Sequence, residues 1–107
     1  MKRQEESYIK KAILEYLKLV KKIYCWNNRN VGVFKNGGYI PSGIRGISDI
    51  LGILPDGKFL AIEVKTEKGK PTEEQLSFLH NIINNNGIGF IARSVKDVEE
   101  KLKMCNY

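Results

Sequence analysis

Two acidic residues and one lysine carry the chemistry open to this chain. In the run Phe59-Leu60-Ala61-Ile62-Glu63-Val64-Lys65-Thr66, Glu63 and Lys65 stand two apart inside an apolar stretch. Side chains alternate along a strand, so both point to one face. A carboxylate buried there needs a compensating partner. Upstream, Asp49 precedes a second apolar run, and Pro55-Asp56-Gly57 between the two runs reads as a three-residue hairpin turn. That turn pairs Leu54 with Lys58, Ile53 with Phe59, Leu51 with Ala61, and therefore Asp49 with Glu63. Directly opposed residues have Cβ atoms about 4.5–5.5 Å apart, a separation at which two carboxylates repel. The repulsion is relieved if one carboxyl stays protonated, if a cationic side chain bridges the pair, or if a metal ion binds. A hard divalent cation such as Mg²⁺ fits best, with Asp49, Glu63 and the Val64 carbonyl as ligands and positions left for water. Lys65 then stands beside a water polarised by the ion, where its charge also holds a phosphate. This reading predicts that the two acids meet in a pocket free of protein cations. The plain alternative is an amphipathic strand whose end is simply wet, or a bulge that shifts the register by one residue.

The elements that must position these groups follow from periodicity. Ile9, Ala12, Ile13, Tyr16, Leu17, Val20 and Ile23 recur at steps of three and four, which predicts a helix from Glu5 to about Tyr24. Cys25 to Phe34 reads as a strand, and Gly37-Gly38 with the segment around Pro41, Gly43 and Gly46 as loop, with Lys35 and Arg45 in it. Ser48–Leu54 and Lys58–Thr66 are the hairpin strands. A second helix opens at Pro71-Thr72 with Leu76, Leu79 and Ile83 on one face, and stops at Asn84–Gly87 with Gly87 as the left-handed cap. Ile88–Ala92 is a strand. Ser94 caps a last helix to about Met104, with Val95, Val98 and Leu102 inward and Asp97 completing a capping box. The order α-β-β-β-α-β-α predicts an α/β fold: a mixed sheet flanked by helices, with a right-handed parallel crossover from the Glu63 strand to Ile88–Ala92.

With 107 residues, 42% hydrophobic and 28% charged, the chain is long enough for one domain over 1–107. A net charge of +6 suits a polyanion, nucleic acid first. Lys35, Arg45, Lys68 and Lys70 fall in predicted loops beside the acids, where they could contact phosphates. Trp26 could stack on an unpaired base, although a lone tryptophan after a helix is more often core. His80 reads as a surface histidine. Cys25 and Cys105 lack the spacing of a disulfide framework or zinc site, and no run approaches the roughly 20 apolar residues of a membrane span. A soluble, cytoplasmic protein is expected.

Gly46-Ile47-Ser48-Asp49 followed by Ile62-Glu63-Val64-Lys65 resembles the D…E-x-K signature of the PD-(D/E)XK nuclease superfamily. Within it, the stretch from Gly46 to Gln75 is similar to the VRR-NUC (virus-type replication-repair nuclease) domain, and the likeness extends from Glu6 to about Asp97. The resemblance implies a restriction-endonuclease-like fold, with Asp49 and Glu63 as metal ligands and Lys65 as the catalytic lysine. Gln75 matches a glutamine that supports the metal water or a ligand, although Thr72-x-x-Gln75 is also a plain capping box. Glu6 matches an acid in the first helix that acts through water, although an acid there is also favoured by the helix dipole and Glu5 could be the relevant one instead. Ser48 replaces a frequent proline, and Lys10 stands where glutamine is common. The implied activity is that of a Mg²⁺- or Mn²⁺-dependent endodeoxyribonuclease, acting on branched DNA such as a Holliday junction, as a homodimer. Such stand-alone members are phage-like, which would place the protein in a host cytoplasm. The competing classes are a non-catalytic DNA-binding or partner-binding domain that keeps the fold, and an RNA-directed nuclease.

Overall fold

The computed structural model describes residues 2–28, 33–40 and 43–107. Helix α1 spans Lys2–Glu15 and runs directly into a π-helical segment, Tyr16–Val20. Strand β1 (Tyr24–Asn27) follows, then a two-stranded ribbon of β2 (Val33–Lys35) and β3 (Gly38–Ile40). The hairpin β4 (Ile50–Ile53) and β5 (Phe59–Val64) leads into α2 (Glu73–Asn84), β6 (Ile88–Ala92) and α3 (Val95–Met104). The main sheet has the order β1-β4-β5-β6, antiparallel except for the parallel pair β5–β6. This is the mixed, helix-flanked sheet that the sequence predicts, with the ribbon added. Among the described residues no helix is long and apolar enough to cross a membrane.

β5 is covered on both sides, which accounts for its nearly continuous apolar sequence. Leu60, Ile62 and Val64 join Ile13 and Leu17 from the first helix and Val98 and Leu102 from α3 in the larger core. Ala61 packs with Leu51 and Leu79 on the opposite face, flanked by Trp26, Phe59, Phe78 and Ile82. Helices α1 and α3 thus cover one face and α2 the other. The hairpin register is the predicted one: Ile53 faces Phe59 and Leu51 faces Ala61. Gly57 takes a left-handed φ of 92° and closes the turn by donating its N–H to Leu54. The Tyr107 hydroxyl donates to the Asp56 carboxylate and ties the segment after α3 to this turn.

Five expectations change. The first helix does not reach Tyr24: the π segment ends at Val20, Lys22 turns left-handed, and Tyr24 begins β1. The wider π turn rotates the apolar stripe, so Leu17 remains buried while Val20 is exposed. Cys25–Phe34 is not one strand, because β1 stops at Asn27 and Val33 belongs to the ribbon; residues 29–32 of the predicted strand lie outside those described. Lys35 therefore ends a strand rather than sitting in a loop, and the Gly37–Gly46 segment contains β3. On α2 the inward residues are Phe78, Leu79 and Ile82, whereas Leu76 and Ile83 are exposed. Asn86 (φ 68°), not Gly87, is the left-handed residue after α2. Gly87 is instead needed for close approach, since a Cβ there would lie 2.6 Å from Ile82 Cγ2 and 2.9 Å from the Phe59 carbonyl.

Candidate active site

The acidic pair forms at one end of the sheet, where β4 begins and β5 finishes. Asp49 stands one residue before β4, and Glu63 is the penultimate residue of β5. Continuing the ladder beyond Ile50–Ile62 opposes Asp49 to Glu63. Asp49 closes this end by accepting the Val64 N–H on Oδ2 at 2.9 Å, so its side chain takes over a strand hydrogen bond. The N–H and C=O of one strand residue project to the same edge, which turns the Val64 carbonyl toward the same corner. Asn28 donates its N–H to the Asp49 carbonyl at 2.8 Å and holds β1 alongside.

Glu63 is only 2% exposed. Its Oε2 pairs with Lys65 Nζ at 3.4 Å, as alternation along β5 requires. Its Oε1 is buried and has no hydrogen-bond partner among the described residues. Desolvation, with the charge and hydrogen bonding of Asp49 adding to it, pushes the Glu63 carboxyl up from 4.5 to about 8, against the opposing pull of Lys65. Two further polar atoms close to Asp49 in the chain or ladder, Asn28 Nδ2 and Ser48 Oγ, are also buried without partners among the described residues. Such orphans are costly in a folded protein unless water or a bound group completes the bonding.

The pocket is not free of protein cations. Lys10 Nζ from α1 lies 3.8 Å from Asp49 Oδ1, and each acid therefore has its own lysine. The expectation failed because Lys10 lies just outside the apolar stripe of its helix, where a lysine reads as solvated surface. Glu6, one helical turn before Lys10, shares its side of α1 and is half-buried. Among the described residues no group of three or more His, Cys, Asp or Glu is arranged to hold a metal, so Glu6 does not join the pair in a triad.

α2 enters with its first turn against the same region. Thr72 and Gln75 form a reciprocal capping box: the Thr72 N–H donates to Gln75 Oε1 at 2.9 Å, and the Gln75 N–H to Thr72 Oγ1 at 3.1 Å. The Gln75 carbonyl oxygen is thus committed to the cap, which leaves its amide NH₂ for other partners. Gly46 brings the segment before Asp49 up to this turn. A Cβ on Gly46 would lie 2.3 Å from the Glu74 carbonyl oxygen, and φ is +74°. Gly46→Ala is expected to destabilise the protein by more than about 2 kcal/mol, from the left-handed backbone and the overlap together. Urea denaturation checks this.

The predicted phosphate contacts have separate fates. Lys68 and Lys70 are exposed on the loop between β5 and α2. Arg45 lies 3.6 Å from Glu74 in an exposed ion pair. Trp26 is half-buried over the smaller core and meets Tyr24 at 5.7 Å in a tilted pair. Arg93 is a residue that sequence reasoning missed. Its Nη1 donates to the carbonyls of Thr66 and Gly69, both at 2.6 Å, and so pins the loop that carries Lys68. Its own N–H goes to Asp97 Oδ2, which diverts Asp97 from the capping box predicted with Ser94, although Ser94 Oγ still accepts the Asp97 N–H.

The VRR-NUC domain model matches residues 39–96, more than half of the chain and the whole stretch from Gly46 to Gln75. The chain belongs to the VRR-NUC family. A solved structure described as a VRR_NUC domain shares the fold, with a TM-score of 0.67 over 92% of this chain and 95% of that one at 24% identity. No curated protein matches the sequence significantly. The matched region of this VRR-NUC domain contains Asp49, Glu63, Lys65 and Gln75, while Glu6, Lys10 and β1 precede it. Membership makes the chain a nuclease-fold domain.

The donor set suits the divalent metal ion that this family generally uses. Two carboxylates, one with an unpartnered buried oxygen, and a main-chain carbonyl are the hard oxygen donors that Mg²⁺ or Mn²⁺ takes. Mg²⁺ in particular is commonly held by one or two carboxylates, with water and substrate phosphate completing the shell. A third acid is not required.

Proposed function

We propose that this VRR-NUC domain is a Mg²⁺- or Mn²⁺-dependent endonuclease that hydrolyses phosphodiester bonds in DNA, with branched DNA such as a four-way junction as substrate and a homodimer as the acting unit. The observation that carries the reading is the buried Glu63 carboxylate, opposed by Asp49 and left with one oxygen unpartnered.

Asp49, Glu63 and the Val64 carbonyl would hold the cation, which would supply positive charge against the additional negative charge of the phosphorane-like transition state. Lys65 Nζ, anchored on Glu63 at 3.4 Å, donates a hydrogen bond to the attacking water and keeps it in line with the scissile bond. The water oxygen forms the new bond to phosphorus as the bond to the departing 3′-oxygen breaks; the water's proton passes to bulk solvent and the 3′-oxygen takes a proton from solvent. The Gln75 amide NH₂, free of the capping box, orients water or phosphate from the α2 side. Glu6 supports the same water network from α1. Lys68 and Lys70 contact flanking phosphates, with Lys35 and Arg45 as further basic contacts. A net charge of +6 favours the encounter with DNA. Two copies related by a two-fold axis would match the pseudo-symmetry of a junction.

The paired lysines favour one competing reading, a DNA-binding domain in which Asp49, Glu63, Lys10 and Lys65 form a neutral ion network without catalysis. Labelled four-way junction, flap, linear duplex and RNA, incubated with Mg²⁺ or Mn²⁺, separate the two. Lys65→Ala is expected to abolish cutting by at least about a hundredfold while binding persists. Binding of DNA without cleavage in either metal would establish the non-catalytic reading, and cleavage confined to RNA would transfer the activity to that substrate.

A further inference from the structure

We propose that Lys10 competes with the metal for Asp49: its ammonium holds the carboxylate in the free protein, gives way when a divalent cation arrives, and then serves as a phosphate contact. The inference rests on the reading of Asp49 and Glu63 as cation ligands.

The two oxygens of Asp49 are not equivalent. Oδ2 accepts the Val64 N–H at 2.9 Å, so Oδ1 is the less committed oxygen and the better one for a cation. Oδ1 is also the atom that Lys10 Nζ approaches, at 3.8 Å. Two cations on one oxygen repel strongly in a partly desolvated corner, so ammonium and metal exclude each other there.

Of the two lysines at the site, Lys10 is the one able to leave. Lys65 projects from the end of β5, its N–H is fixed to the Ala92 carbonyl, and its side chain is 13% exposed against Glu63 at 3.4 Å. The Lys10 side chain is 26% exposed, comes from a different element, and is in charge contact without hydrogen-bond geometry. The displaced ammonium stays on α1 at the rim of the site, where a compact, mobile point charge suits a phosphate.

Titration calorimetry of Mn²⁺ into the metal-free protein without DNA tests the competition. Lys10→Gln is expected to bind Mn²⁺ about two- to fivefold more tightly, the span that an ion pair of this exposure supports. The same variant is expected to bind labelled duplex more weakly in Ca²⁺. Unchanged or weaker Mn²⁺ binding in Lys10→Gln, with wild-type binding present and lost in Glu63→Gln, would overturn the competition and leave the cation site standing. Absence of Mn²⁺ binding by the wild type would bring down both. Tighter Mn²⁺ binding with unaltered duplex affinity would retain the competition and remove the phosphate role.

Discussion

Replacing Glu63 by glutamine is expected to lower the rate of DNA cleavage by at least about a thousandfold while DNA binding changes little. The amide keeps the volume of the carboxylate but not its charge, and the cation loses an anionic ligand on the side that faces Lys65. Charge stabilisation by a bound metal contributes several kcal/mol at the transition state, and each 1.36 kcal/mol is tenfold in rate. Asp49→Asn should reach a similar loss by a different route. Its single carbonyl oxygen can still accept the Val64 N–H, so the end of the hairpin stays closed, but the place of Oδ1 is then taken by an amide NH₂, a donor that cannot ligate a cation. Single-turnover cleavage with saturating enzyme isolates this effect from binding. Either variant retaining wild-type turnover would remove the acidic pair from the mechanism.

The hairpin was legible because its signals are local and agree. A turn whose glycine takes a left-handed φ fixes the register, and alternation then assigns every side chain of β5 to a face. That is enough to oppose Asp49 to Glu63 and to place Lys65 beside Glu63. What stayed hidden depends on contacts between distant residues. Lys10 meets Asp49 from another element, and nothing in the helical stripe distinguishes it from Lys11 or Lys18. Arg93 follows β6 and reaches back to Thr66 and Gly69, so its role exists only once the parallel crossover has formed. The break after Asn27 was missed because the apolar residues Val31, Val33 and Phe34 kept a strand-like pattern across a segment rich in asparagine. The capping box at Thr72 and Gln75 was readable, being complete within four residues, yet it also consumes the oxygen of the one glutamine to which the resemblance gives a catalytic place.

Metal-free protein is expected to lose stability as the pH rises from about 5 to 8, and Glu63→Gln to cancel that loss. Glu63 is neutral in folded and unfolded chains below pH 4.5. Between 4.5 and about 8 the unfolded chain releases this proton while the folded chain retains it, so unfolding is progressively favoured. Above about 8 both forms are ionised and the contribution levels off. At 1.36 kcal/mol per pH unit the penalty reaches on the order of 3 kcal/mol at pH 7 and on the order of 5 kcal/mol at the plateau. Glutamine is neutral throughout and removes it, so the variant should melt higher than the wild type at pH 8 and no higher at pH 4. A divalent cation should restore wild-type stability at pH 8, because binding to the ionised pair favours the folded state, and should leave Glu63→Gln nearly unmoved. Thermal melts of both proteins at pH 4.5, 7 and 8.5, with and without Mn²⁺, test the whole set. A wild-type profile no steeper than that of Glu63→Gln would mean that the buried carboxyl is already satisfied, and a site satisfied without metal has no need of one.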